Sequence, residues 1–223
     1  MRPWFLPMPF RCSVISDWYF VRHGETDYNK QTLMQGHSNI PLNEKGRQQA
    51  KDAAAQLRTL GLSFDVVYSS PLDRAMETAR ILSGKDQSEL RIDQRIIELG
   101  FGVLEGTSFR VDPAPEVYTL NHDPAHYIPP KGGESLDALY ERTHAFLEDL
   151  RLHGPEGSLL IVSHGAAIRG MMMSLTDMTV EQFWDFRVGN CDILHFHNEN
   201  GVVTECAPVL RHEDPFDPHL NAK

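Results

Sequence analysis

Trp18-Tyr19-Phe20-Val21 is an aromatic, β-branched run that stops at Arg22-His23-Gly24, the pattern of a buried strand feeding a loop. Beyond it, Ala50, Ala53, Ala54, Leu57 and Leu60 recur at helical spacing. They predict a helix capped by Asn43 and stopped by Gly61. Residues 65–69 read as a second strand. Ser70-Pro71-Leu72-Asp73 then reads as a capping box with proline at the first helical position, opening a helix that runs to Gly84. Residues 90–98 are expected to form a third strand ending at Glu98. Ser135 opens a long amphipathic helix through Leu136, Leu139, Thr143, Phe146, Leu147 and Leu150. The most apolar strand, 158–162, leads into Ser163-His164-Gly165 and a further helix. Thr179 is expected to cap another helix, and Asn198–Gly201 to turn a hairpin spanning 191–208.

Strands alternating with helices predict a three-layer α/β/α fold with a mostly parallel central sheet. From Gly106 to Gly133 the pattern breaks down, with five prolines and no period. A stretch of that length is expected to be an inserted cap, about 106–134, beside the strand ends. Residues 1–17 read as an N-terminal extension, 18–210 as the domain and 211–223 as a flexible tail.

The 223 residues are 41% hydrophobic and 23% charged, enough for one sizeable core. A net charge of −10 argues against a nucleic-acid or anionic-membrane partner. It says nothing against a pocket in which a few basic groups converge. Three cysteines, Cys12, Cys191 and Cys206, have no metal spacing; Cys191 and Cys206 flank the expected hairpin and could bridge, but reduced thiols of a cytoplasmic protein are the expectation. Prolines and Arg11 interrupt the N-terminal apolar stretch, and no run reaches membrane-spanning length.

In parallel sheets ligands bind at the carboxyl ends of the strands. Four chemistry-bearing residues fall there: His23, Arg74, Glu98 and His164. Phosphoryl transfer needs fixed cations and N–H donors around three charged oxygens. Arg22 and Arg74 supply bidentate guanidinium forks, and Arg74 lies in a first helical turn, where only an anion makes a cation favourable. An unprotonated His23 is the candidate nucleophile, Glu98 the proton donor to the leaving oxygen, and His164 a second imidazole for the transferring group. The plain alternatives are a structural His23, a surface ion pair of Arg74 with Asp73 or Glu77, a solvated Glu98 and a buried, bonded His164. No Gly-x-Ser-x-Gly elbow supports a serine hydrolase. His195 and His197 share a strand face but read as structural, and Met171–Met173 as core filling.

The blocks RHGETDYN (22–29), QGHSNIPLNEKG (35–46), SSPLDRAMETA (69–79), ELGFGVLEG (98–106), GGES (132–135) and VSHG (162–165) stand in the order found in the histidine phosphatase superfamily, the phosphoglycerate-mutase-like group. The resemblance covers about residues 18–208. It implies a phosphoglycerate-mutase-like fold, a phosphorylated His23, and a phosphate pocket completed by Arg22, Arg74 and His164. It further implies Glu98 as acid/base, Asn29 near the phosphate, and Gln35 and Gly36 lining the substrate side. No cofactor or metal is implied. Asn39 departs from the aspartate many members carry, and Leu104 from their tryptophan.

The expected activity is hydrolysis of a small phosphorylated metabolite through phosphohistidine, by a monomer or homodimer. Phosphoglycerate-mutase-type transfer and a non-catalytic phosphate-binding module are the alternatives. The resemblance favours hydrolysis, because the glutamate block has the ELxFGxxEG form typical of the family's phosphatases and 101–134 carries only Arg110 and Lys131 where the family's mutases place extra cations. Phe101, Leu104, Tyr118 and Tyr127 are expected to give the pocket a partly apolar wall.

Overall fold

The computed structural model describes residues 15–211. The bulk of the N-terminal extension, with Cys12, and nearly all of the C-terminal tail lie outside the described residues. Strand β1 (Ile15–Arg22) starts three residues before the apolar run, because Ser16 and Asp17 already pair with Gly157 and Ser158. Helices α1 (Asp27–Lys30) and α2 (Glu44–Thr59) follow, then β2 (Val66–Ser69), α3 (Asp73–Ser83) and β3 (Arg91–Ile92). The chain continues through α4 (Pro115–His122), α5 (Leu136–His153), β4 (Gly157–Ser163) and α6 (Gly165–Leu175). It closes with the hairpin of β5 (Ile193–Glu199) and β6 (Val202–Glu205).

Among the described residues the sheet has six strands in the order β3-β2-β4-β1-β5-β6. β1, β2, β3 and β4 run parallel, while β5 and β6 are antiparallel to their neighbours. A strand presents alternate residues to opposite faces, and here both faces are buried. Tyr19, Val21, Leu160 and Val162 pack on one side with Ala50, Ala53 and Leu57 of α2 and Ala75 and Ala79 of α3. Trp18, Phe20, Leu159 and Ile161 pack on the other with Phe146 and Leu150 of α5 and Ile168 and Met171 of α6. The result is three layers, as the alternation of elements predicts.

Several expectations change in detail. The third strand is two residues long, because the Asp93 side chain accepts from Arg95 N–H and turns 94–96 into a 3-10 turn. Glu98 therefore lies on a loop past the sheet, not at a strand end. Helix α3 begins at Asp73 with Leu72 before it, and no side chain caps it through its N-cap position. The expected cap, Ser70, is drawn instead to His164 (2.6 Å), and Asn39 Oδ1 accepts from Asp73 N–H at 2.9 Å. The segment 106–134 is not without regular structure: Pro115 opens α4, which buries Val117 and Leu120 against Leu99, Leu136 and Phe183. Thr179 caps only a 3-10 turn. Cys191 and Cys206 are unbonded. Met171 and Met172 fill the core. Among the described residues no helix is long and apolar enough to cross a membrane.

One close approach fixes the loop after β1. Gly46, in the first turn of α2, packs on the main chain of Glu25, where an added Cβ would meet the carbonyl oxygen at 2.0 Å and the nitrogen at 2.6 Å. Backbone cannot yield as a flexible side chain can. Gly46→Ala is therefore expected to cost about 1–3 kcal/mol of stability, within the range for overpacking. A urea titration would read this as a lowered midpoint at unchanged slope.

Candidate active site

His23 follows β1 and is 2% exposed. Its N–H donates to Ser163 O at 3.0 Å, extending the β1–β4 ladder by one residue. Its carbonyl accepts from Asn190 Nδ2 at 2.7 Å, so the main chain is held on both sides. Ring atom Nδ1 lies 2.7 Å from Gly24 O. A carbonyl can only accept, so Nδ1 carries the proton and Nε2 the lone pair. Arg74 Nε–H faces that lone pair at 3.3 Å. Burial foremost, then the Arg74 and Arg22 charges, hold the imidazole pKa well below its ordinary value. His23 is thus neutral, with a bare Nε2 beside a cation.

Arg74, the second residue of α3, is 0% exposed. Its Nη1 and Nη2 donate to Ser38 O (2.7 Å) and Gly36 O (2.8 Å). Burial lowers its pKa to about 10, which leaves it charged at neutral pH. The surface ion pair weighed as its alternative does not form: Glu77 pairs with Arg47, and Asp73 accepts from Asn39. Asn39 thereby ties the 36–39 loop to the helix that carries Arg74.

His164, also 0% exposed, lies with its ring centroid 5.0 Å from that of His23. Its Nε2 is 2.6 Å from Ser70 Oγ, which also faces Leu72 N–H at 3.4 Å. Among the described residues Nε2 is the one acceptor placed on the Ser70 hydroxyl, so Ser70 gives its hydrogen to Nε2 and the ring proton is assigned to Nδ1. That Nδ1 is buried with no hydrogen-bond partner among the described residues. A buried donor without an acceptor is costly. Burial, then Arg74 and His23, also hold the His164 pKa well down. An incoming anionic oxygen matches both the orphaned donor and the buried Arg74.

Glu98 Oε1 accepts from the backbone N–H groups of Leu99 (2.9 Å), Ala166 (3.0 Å) and Ala167 (3.2 Å), the last two in the first turn of α6. Beside it opens a cavity of about 140 Å³. Arg22, Asn29, Gln35, Gly36 and Glu98 all line it. His23, Arg74 and His164 do not form its wall but lie one bond or one residue behind it, through Arg22, Gly36 and Gly165. Asn29 and Gln35 are linked by the Thr26 hydroxyl, 3.0 Å from Asn29 Oδ1 and 2.8 Å from Gln35 Oε1. Gly36 has φ +53°, and a Cβ there would meet Glu105 Oε1 at 2.1 Å. Glu25, for all its place in the Arg-His-Gly-Glu block, is buried against Lys45 (2.6 Å) and Asn43 (3.0 Å).

The apolar wall differs from the expected one. Phe101 lines the cavity, but Leu104 and Tyr127 pack in the cluster under the inserted segment and Tyr118 is 56% exposed. Phe109, Leu120 and Trp184 take their places. The cations differ too. Arg110 and Lys131 do not line the cavity; Arg169 and Arg187 do, from α6 and the chain beyond it. Arg169 donates to Gly165 O at 3.0 Å and lies 4.6 Å over the Trp184 ring. Its signal was present in the sequence as a charge inside an otherwise apolar helix; Arg187 and Asn190, in irregular chain, carried none. His195 and His197 share Asp17 Oδ1 at 2.8 and 3.0 Å.

Comparison with known proteins identifies the family. A family model of the histidine phosphatase superfamily (branch 1) matches residues 18–206. Phosphoserine phosphatase 1 of Hydrogenobacter thermophilus is 32% identical over 187 residues, covering 82% of this chain and 88% of the relative. A probable phosphoglycerate mutase of Enterobacter sp. is 34% identical over 209 residues, covering 88% and 94%. A phosphoserine phosphatase mutant from Entamoeba histolytica, solved in complex with phosphoserine, superimposes with a TM-score of 0.75 at 27% identity, covering 86% of this chain and 96% of that one. The chain belongs to the histidine phosphatase superfamily.

Proposed function

We propose that the protein is a phosphomonoester hydrolase that works through a phosphohistidine at His23. The observation that carries this reading is the neutral imidazole whose bare Nε2 faces Arg74, with an orphaned His164 Nδ1–H close by. Nε2 attacks phosphorus, the ester P–O bond breaks, and the leaving oxygen takes a proton from Glu98. Arg22, Arg74 and His164 hold the three phosphoryl oxygens. Water, giving a proton to Glu98, then attacks phosphorus, breaks the P–N bond and releases phosphate. Asn29, Gln35 and Gly36 shape the substrate side.

Family membership and the phosphatase relatives support a small phosphorylated metabolite as substrate, with phosphoserine and 3-phosphoglycerate the first to try. Unbonded Cys191 and Cys206 suit a cytoplasmic enzyme. A mutase remains the second reading, favoured by one observation: Arg169 and Arg187 bring to the cavity the additional cations that a second acidic group would need. The products separate the two. Incubation with 3-phosphoglycerate is expected to yield inorganic phosphate; 2-phosphoglycerate as the main product would make the enzyme a mutase.

His23→Ala should lower turnover by about 10³-fold or more while the circular dichroism spectrum stays native. Retained turnover would remove His23 from the reaction. Glu98→Gln should slow alkyl phosphates by about 10²-fold and p-nitrophenyl phosphate far less, since p-nitrophenolate leaves without a proton. Steady-state kinetics on both ester types reads this directly.

A nucleophile kept neutral by burial also has a consequence for stability. Unfolded, His23 and His164 take up protons below about pH 6.5; folded, their depressed pKa values keep them bare. The unfolded state then binds more protons, so stability falls as pH drops from 6.5, by up to about 1.4 kcal/mol per pH unit for each imidazole. Denaturant titrations of the ligand-free protein between about pH 6.5 and 5 should show this slope, and His164→Asn should reduce it by about one proton.

A further inference from the structure

Arg142 lies on α5 and takes no part in the reaction as described. Its guanidinium is committed to a single loop. Nη1 donates to the carbonyl oxygens of Arg95 (2.7 Å) and Ile97 (2.6 Å), and Nη2 to that of Glu98 (3.0 Å). One edge of the same guanidinium clasps Glu134 in a bidentate pair, Nε to Oε1 at 2.7 Å and Nη2 to Oε2 at 2.9 Å. Glu134 reaches the far side of the loop: its Oε2 faces Gly100 N–H at 3.3 Å, and its own N–H donates to Gly100 O at 2.9 Å.

The loop needs such a clamp. β3 stops at Ile92, so no sheet ladder holds residues 95–100. The Glu98 main chain is fixed by donors from outside, Arg142 on its carbonyl and the His37 ring on the same oxygen at 2.9 Å. We propose that the Arg142–Glu134 pair is the positioning device of the Glu98 proton transfer. It sets the backbone from which the carboxyl group reaches the cavity. A planar fork can span Arg95 O, Ile97 O and Glu98 O while keeping both bonds to Glu134; an ammonium group cannot. Misplacing a catalytic group by about 1 Å can cost about 10²-fold in rate, so a loosened loop should appear in the step that needs the proton.

The inference rests on the reading of Glu98 as proton donor, and its test separates the two. The quantity read is the ratio of kcat/KM for the best alkyl phosphate of a substrate panel to that for p-nitrophenyl phosphate, both on one preparation. Partial unfolding lowers both rates equally and leaves the ratio alone. Glu98→Gln is expected to lower the ratio by about 10²-fold, and Arg142→Met by about 10-fold or more. The double variant should be no lower than Glu98→Gln alone, because both changes act on one proton transfer. Arg142→Lys should fall with Arg142→Met, and it carries the test if the methionine variant does not fold. A ratio that Arg142 variants leave within about twofold of the parent would overturn the inference, as would effects that multiply in the double variant. If Glu98→Gln itself leaves the ratio unchanged, the acid role of Glu98 fails and the positioning role falls with it.

Discussion

The buried guanidinium of Arg74 is the constraint on which the rest of the site depends. A cation with no exposed surface is unfavourable unless its hydrogen bonds are met and an opposite charge can reach it. Two of its N–H groups are met by Gly36 O and Ser38 O, and a third faces the His23 lone pair. None of those partners carries a formal charge. The Arg74 charge, added to burial, keeps His23 and His164 unprotonated. Glu98 and Glu105 act on the Arg74 charge only through space, so no carboxylate is bonded to the guanidinium itself. Under the proposed function, a phosphoryl group is the anion that would meet it.

The fold delivers these groups from separate stretches of chain to one place. β1 ends in Arg22 and His23, β2 runs into Ser70 and thence to Arg74, and β4 ends at His164. Parallel strands put these ends on one edge, and the ladder bonds His23 N–H to Ser163 O and Ser70 N–H to Val162 O keep them in register. Ser70 then sets the tautomer of His164, as Gly24 O sets that of His23. Each imidazole is oriented by an atom that the sheet has already positioned.

Much of this was legible in the sequence, because residues within one regular element carry their own periodicity. The runs 18–21 and 158–162 announced central strands, and Asn43 and Ser135 announced the starts of α2 and α5, where their side chains cap. His23, Arg74 and His164 were legible because each sits directly after a strand or in a first helical turn. What was hidden depended on partners distant in sequence. Ser70 read as a helix cap because the competing acceptor, His164, is 94 residues away. The strand drawn over 90–98 was broken by Asp93 bonding its own neighbour. The cavity wall was half misread: Arg169 stood out as a charge within the apolar α6, but Trp184 and Arg187 come from irregular chain whose local pattern gives no hint of where it folds back.

The two halves of the site also differ in how they are held. The phosphate side rests on sheet ladders and buried main-chain bonds, so its geometry is shared with the core that stabilises the protein. Glu98 stands outside the sheet, between the first-turn amides of α6 and the Arg142–Glu134 pair, both reached through long-range contacts. The substrate wall beyond it is built from irregular segments and α4. Changes in those segments would leave the core undisturbed, because His23 and Arg74 are anchored elsewhere. In this chain that separation sets the strand-anchored His23, Arg74 and His164 beside a cavity wall of Phe101, Trp184, Arg169 and Arg187, and under the proposed function that wall is where the choice of substrate would be made.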